Sequence, residues 1–263
     1  MQIISVKNSF YFTYVFLITT GVITFIEALR NPIPQIRHIM NLETCISIIA
    51  GYFYGVFIEL LDKSEEKSVL TQETQITQKT QLTQKTQITN EIKKTAEKDT
   101  GSLTIPDSEH KLPIEKINDM RYSDWVISTP LMLLVLSLVL GYENKVDVHF
   151  FSFALVLFFN FLMLGFGYIG EINLLNRTLA NFIGFIFFFL TYGTIWKLFL
   201  TGSKVTKQSK IIFWLYLGLW SLYGVFYQTS ETTKMIGYNM LDLLAKAFIG
   251  LFFWLYLTKI VKF

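Results

Sequence analysis

Apolar residues run through this chain in long blocks instead of alternating with polar ones. Seven blocks stand out, at about residues 10–29, 40–61, 122–140, 148–168, 179–200, 211–227 and 235–260. Each is near the roughly 17–25 residues that a helix needs to cross a bilayer. Within lipid such spans must be helical, because every backbone polar group needs a partner inside its own segment. The pattern predicts an all-α membrane protein, a bundle of seven transmembrane helices. Polar residues collect in one long stretch, residues 62–118. The chain then reads as helices one and two over 1–61, a loop over 62–118, and helices three to seven over 119–263, together one domain.

The heart of that loop, residues 71–91, is TQETQITQKTQLTQKTQITNE. Ile76, Leu82 and Ile88 recur at a fixed interval, and so do Lys79 and Lys85. Threonine disfavours helix and nothing here can bury a core, so the expectation is a low-complexity, mostly disordered segment. The period would also suit a strand that pairs with its own kind. No chemistry is legible in it.

Composition agrees with the membrane reading: 52% of residues are hydrophobic and 16% are charged. A net charge of +3 gives no reason to expect nucleic acid. The one cysteine, Cys45, rules out an internal disulfide and a cysteine metal cluster. The start of the chain lacks a basic stretch followed by a small-residue cleavage site, so the first helix is expected to be retained. Arg30, Arg37, His38, Lys204, Lys207, Lys210, Lys259 and Lys262 fall on one side of a seven-span bundle. Glu171, Arg177, Glu231 and Lys234 fall on the other. Positive residues favour the cytoplasmic side, which places the N-terminus and residues 62–118 outside and the C-terminus in the cytoplasm. Asn176-Arg177-Thr178 has the form of a glycosylation acceptor on that outer side, a pattern short enough to arise by chance.

Charges inside the blocks carry the chemistry. Asp242 and Lys246 lie in the seventh block, four apart and so on one helix face. A bare charge at that depth costs at least about 2.5–3.5 kcal/mol, so such residues face a protein interior. They could form a structural ion pair or an ion relay. Alternatively, a desolvated lysine amine forms a Schiff base with an aldehyde, and a nearby carboxylate balances the protonated imine. The third block opens RYSDWVISTPL, residues 121–131, where Arg121, Asp124 and Ser128 share a face. A capped helix start with an Arg–Asp pair does not account for Trp125, Ser128, Thr129 and Pro130 in one run.

At these residues the chain resembles the microbial rhodopsins. RYSDWVISTPL looks like the third-helix signature of that family, and DLLAKAF, residues 242–248, like its retinal-lysine signature. Trp220-Ser221-Leu222-Tyr223 resembles the sixth-helix pair that packs on retinal. Asn160, Met163, Gly165 and Gly167 resemble the fourth-helix pattern, Gly184-Phe185 with Phe188 the fifth, and Tyr52-Phe53-Tyr54 the second. The resemblance implies all-trans-retinal bound to Lys246 as a protonated Schiff base. It implies Asp124 and Asp242 as counterions, with Asp124 accepting the proton. Arg121 would balance the two acids from the outer side, Ser128 would hydrogen-bond near Asp124, and Tyr54 would hydrogen-bond Asp242. Trp125, Trp220 and Tyr223 would clamp the polyene, with Thr129, Met132, Met163, Gly167, Phe188 and Tyr227 completing the pocket. Thr129 and Asn160 would link the third and fourth helices. Met132, apolar beside the ring, implies green absorption.

The chain departs from the outward proton pumps of the family. Where they carry a carboxylate two turns beyond Ser128, this chain has Val135, which cannot donate a proton. Glu231 matches one of their outer glutamates, and Lys234 stands where the other should be. The second helix carries Glu43, Thr44, Ser47 and Glu59, with Glu27 on the first and Asn239 on the last. Such residues suit a cation path through Glu43, Glu59 and Asn239, and also suit plain interface positions. The set resembles the rhodopsins of large algal viruses, whose first group is regarded as light-gated cation channels. The function expected is a light-gated cation channel rather than an enzyme, with a weak outward proton pump and a photosensor as alternatives. A sensor is expected to need an output partner, and no soluble domain follows Phe263 in the chain. The partners implied are membrane lipid and monovalent cations or protons, with a homo-oligomer compatible. The location implied is the host cell membrane, if the source is viral.

Overall fold

The computed structural model describes residues 2–92, 113–202 and 205–260, with side chains throughout these except 2–5, 68 and 71–92. Among the described residues seven long helices follow one another: α1 Gln2–Arg30, α2 Pro34–Ile92, α3 Ile114–Asn144, α4 Phe150–Glu171, α5 Arg177–Phe199, α6 Lys207–Tyr227 and α7 Glu231–Leu257. All seven are long and apolar enough to cross a membrane. The chain divides into two units, residues 1–58 with 115–263, and residues 59–114.

In the second unit the expectation of disorder is corrected for the backbone, since α2 stays helical to Ile92. Residues 56–92 contain neither glycine nor proline. A helix already nucleated gains one backbone hydrogen bond for each residue added, so threonine's modest penalty does not stop it. The side chains of Ile76, Leu82, Ile88, Lys79 and Lys85, and all of residues 93–112, lie outside the described residues, as do Lys204 and Lys262. Glu59, placed on the ion path by the sequence, is instead exposed and salt-bridged to Lys63 one turn on, at 2.5 Å. It stands on a solvent-facing position of the helix, where an i,i+4 pair forms readily.

In the first unit, α3 begins at Ile114 and α7 at Glu231, earlier than the apolar blocks suggest. The early turns bury Asn118, Arg121 and Lys234, whose charge and polarity hid them from a hydropathy reading. Small residues bring α1 and α2 together: a Cβ on Gly21 would lie 3.2 Å from the Ser47 Cβ. In lipid, close packing of this sort holds helices together, because the membrane supplies little hydrophobic force between them. Rings such as Phe150, Phe151, Phe158 and Phe182 point outward from α4 and α5, as lipid-facing positions do.

Helix ends are tied by side chains. Asn176 caps α5, its Oδ1 accepting from the Thr178 and Leu179 amides, which gives the Asn-Arg-Thr triplet a structural role. Thr206 caps α6 through the Ser209 amide. Buried Asn144 at the end of α3 accepts from the Thr206 amide and the Ser209 hydroxyl and donates to the Phe199 carbonyl. One amide thus joins the ends of α3 and α5 to the start of α6. Beyond the middle of the bundle on that side, Val135, Leu136, Val139, Ile212, Phe213 and Phe253 belong to an apolar core.

α7 is not uniform. Leu243–Phe248 forms a π-helical turn between the α-helical stretches Glu231–Asp242 and Ile249–Leu257. Such wide turns recur at functional positions, and this one contains Lys246.

Candidate functional site

Four charged side chains meet in the middle of the first unit, each at most 1% exposed: Arg121, Asp124, Asp242 and Lys246. The α3 helix supplies Arg121 and Asp124 from one face, and α7 supplies Asp242 and Lys246. Their formal charges cancel. Buried charges persist only when paired and hydrogen-bonded, and both conditions hold. Lys246 Nζ lies 2.6 Å from Asp124 Oδ2 and 3.7 Å from Asp242 Oδ1. Tyr223 donates to Asp242 Oδ1 at 2.7 Å and Tyr54 to Asp242 Oδ2 at 2.9 Å. The Tyr54–Asp242 contact is the one the sequence implies.

Arg121 meets the two acids unequally. Its guanidinium donates to Asp242 at 3.2 Å, to Tyr54 at 3.3 Å and to Asn239 at 2.8 Å, and makes no hydrogen bond to Asp124. The rings of Phe10, Tyr54, Phe57 and Tyr238 surround it with centroids 5.2–5.8 Å away. Flat ring faces attract a guanidinium, so the group is held by both its edges and its faces. Ser128 departs from expectation. Its hydroxyl and Asp124 Oδ1 find no protein partner among the described residues. One helical turn puts the two residues on a common face without aiming the hydroxyl at the carboxylate.

A cavity of about 760 Å³, mouth included, runs from Lys246 and Asp242 between the helices. Its walls include nine of the expected pocket residues: Trp125, Thr129, Met132, Met163, Gly167, Phe188, Trp220, Tyr223 and Tyr227. The walls are mostly aromatic and apolar, with an amine and a carboxylate at one end. Trp125 meets Tyr122, Tyr223 and Tyr238 edge-on, at centroid distances of 5.2, 5.4 and 5.0 Å. Tyr227 donates to the Gly167 carbonyl at 2.9 Å, and Asn160 donates to Thr129 at 2.8 Å, joining α4 to α3. Tyr122, Asn181, Gly224 and Tyr238 also line the cavity and were not singled out in the sequence. Gly165 and Tyr52, parts of the sequence motifs, do not line it, and Tyr52 is exposed.

The remaining polar residues form a seam where α1, α2 and α7 meet. On the Arg121 side, Asn239 donates to Ser9 and its carbonyl accepts from Thr13. On the far side of Lys246, Thr20 donates to the Ala247 carbonyl, Thr24 shares a hydrogen bond with Thr44, and Ser47 is fully buried. Glu43, 2% exposed, lies here, with its Oε2 3.0 Å from where a Cβ on Gly250 would sit. Glu27 stands apart, accepting from Asn31 and the Trp254 indole.

A family profile described as "Bacteriorhodopsin-like protein" matches residues 5–260. Among curated proteins, Opsin-1 of Neurospora crassa is 31% identical over 170 residues, covering 59% of this chain and 53% of its own length. The matched part thus spans about half of that relative. The crystal structure of viral rhodopsin OLPVRII is 35% identical, with a TM-score of 0.72, covering 98% of this chain and 99% of its own. A blue light-absorbing proteorhodopsin from Med12 shares the fold at 18% identity and a TM-score of 0.65, with 97% of each chain covered.

Proposed function

The chain belongs to the bacteriorhodopsin-like family of retinal proteins, and from that premise we propose that it is a photoreceptor acting as a light-gated cation channel. Retinal held at the Lys246 nitrogen, all-trans in the dark, would supply light absorption and a change of shape within the cavity. An aromatic slot with one primary amine and one carboxylate at its end, and a second carboxylate paired with that amine, fits such a group. Lys246 is its anchor, and Asp124 and Asp242 balance the positive charge on the anchored nitrogen. Asp124, at 2.6 Å, is within reach to accept the proton from that nitrogen. Asp242 cannot accept it as readily, because Arg121, Tyr54 and Tyr223 already occupy its oxygens.

The observation that carries the channel reading is the buried polar seam between α1, α2 and α7. It passes from half-buried Ser9 and buried Asn239, past Arg121 and Tyr54, to Thr20, Ser47 and Glu43. Transfer of the proton from the Lys246 nitrogen to Asp124 would neutralise both groups, removing the ion pair that ties α3 to α7 and loosening the two helices. The seam then offers hydroxyl, amide and carboxylate oxygens to water and to monovalent cations, the groups that line cation paths. The fully buried Val135 offers nothing to a proton on the α3 side. In this reading the Arg121 end faces outside and the α6 start faces the cytoplasm, as the loop charges favour.

The test is whole-cell current under green light, with retinal added and the voltage stepped. A current that reverses at a potential following the sodium or potassium gradient supports the channel. A small current that stays outward at every voltage refutes it in favour of a proton pump built on the same Asp124 and Lys246. No current from a coloured protein in the membrane refutes both and leaves a sensor.

A further inference from the structure

The charge network above does not use Lys234. Its side chain is 0% exposed, yet it lies near the end of the bundle, just over one turn from Asn239 on α7. Lys234 Nζ is 2.5 Å from Glu171 Oε1, at the end of α4, and 2.8 Å from Glu231 Oε2, at the start of α7. Arg177, at the start of α5, pairs with Glu231 at 3.1 Å and approaches Glu171 at 3.9 Å. Asn118, one turn before Arg121 on α3, donates to both acids. Five side chains from four helices thus form one cluster with no net charge. The Arg177 guanidinium also sits 5.0 Å above the ring of Tyr227, a wall of the cavity.

We propose that Lys234 closes this end of the site to protons. The inference rests on the reading that light moves a proton from the Lys246 nitrogen to Asp124. In that step an N–H bond breaks and an O–H bond forms. For a proton to leave past Arg121 through this cluster, one of its groups must give up or receive a proton. The acids of this cluster are Glu171 and Glu231, and both are already paired with cations. A proton landing on either would strip the fully buried Lys234 ammonium of a counter-charge, which proteins tolerate poorly. Without that cation Arg177 alone would face the two carboxylates, leaving one negative charge over, and sharing one proton would neutralise the cluster. Such a pair holds a proton to release when Asp124 loses its charge. Lys234 converts what would be a proton store into a fixed ionic lock. The proton on Asp124 therefore stays in the site and returns to the Lys246 nitrogen as the dark state reforms.

The experiment is flash excitation of the full-length, retinal-loaded protein in weakly buffered detergent. Visible absorption follows deprotonation at Lys246, and a pH-indicating dye follows protons in the medium. Wild type is expected to show no acidification while the Lys246 nitrogen is deprotonated. Lys234→Gln should gain an acidification that rises with that state. Lys234→Arg, which keeps a cation, should behave as wild type. Adding Glu171→Gln to Lys234→Gln should abolish the new signal. A merely structural role for Lys234 would change colour or yield without creating a released proton. Early acidification in wild type overturns the inference. So does a flat dye trace from a Lys234→Gln protein whose colour and deprotonation are intact. Should Lys234→Gln take up no retinal, wild type and Lys234→Arg decide: early acidification in either overturns the inference, and flat traces in both support it. Failure of the underlying reading shows separately, as a visible signal with no deprotonated phase even in wild type, and takes the inference with it.

Discussion

Replacing Asp124 with Asn removes one charge and almost no volume, so its effect measures the Lys246 pairing. With all four buried charges present the site is neutral, and Asp124→Asn leaves it at +1. The Asp124–Lys246 contact of 2.6 Å corresponds to about 6 kcal/mol at an effective dielectric of about 20. Asp242, at 3.7 Å, compensates in part, although its oxygens already serve Arg121, Tyr54 and Tyr223. The net cost of breaking a buried pair from one side is about 3–5 kcal/mol, or roughly 6–20 °C of thermal midpoint at about 2–4 °C per kcal/mol for a chain of this size. In a Lys246→Ala background the sign reverses. There the site holds two carboxylates and one guanidinium, and Asp124→Asn restores neutrality, so the substitution should stabilise. The assay is thermal unfolding of the four retinal-free proteins in detergent, followed by circular dichroism and read as a double-mutant cycle. Equal losses in both backgrounds would show that the two side chains share no pair, and would refute the arrangement drawn here.

Three more expectations bear on function. Lys246→Ala should abolish colour on retinal addition, measured by visible absorption; a coloured variant would sink the anchor assignment. Glu43→Gln should leave colour intact and lower or reshape the photocurrent, because it removes the one buried carboxylate of the seam beyond Lys246; an unchanged current would take Glu43 out of the path. Gly250→Leu should do the same by steric means, since even a Cβ there would lie 2.9 Å from the Thr20 methyl and 3.0 Å from Glu43. Overpacking of that kind costs about 1–3 kcal/mol, so coloured protein should still form, and the readout is current per coloured molecule.

The site was legible where chemistry needs rare residues at fixed spacing. An Asp and a Lys four apart inside an apolar block have few structural excuses, and RYSDWVISTPL supplied the facing side. Hydropathy located the seven helices well but lost the first turns of α3 and α7, because Asn118, Arg121 and Lys234 look like surface residues until a partner is seen. Glu171 and Arg177 read only as loop charges in the sequence, and Glu231 as the counterpart of a pump glutamate, since ion pairs across three helices leave no local trace. Glu43 and Glu59 looked alike in the sequence, and only packing separates the buried acid from the exposed one paired with Lys63. Ser128 shows the limit of periodicity: a shared face fixes neither rotamer nor hydrogen bond. The Thr/Gln stretch misled in another way. Its composition argues against an independent helix, whereas its backbone continues a helix that began at Pro34.

The wide turn at Leu243–Phe248 divides α7 into two phases. The wider turn takes in one residue more than an α-helical turn over nearly the same rotation, so Asp242, Asn239 and Lys234 before it and Phe253 and Leu257 beyond it all stay buried. Each residue of an α-helix turns the chain by about 100°. Winding the same residues as an ordinary α-helix, with none removed, would therefore rotate everything beyond them by about that angle. Phe253 and Leu257 would swing out of the packed interior. The length of α7 between its acid and its last apolar turn is consequently a counted quantity, and segments exchanged between related chains at this point must carry the count with them.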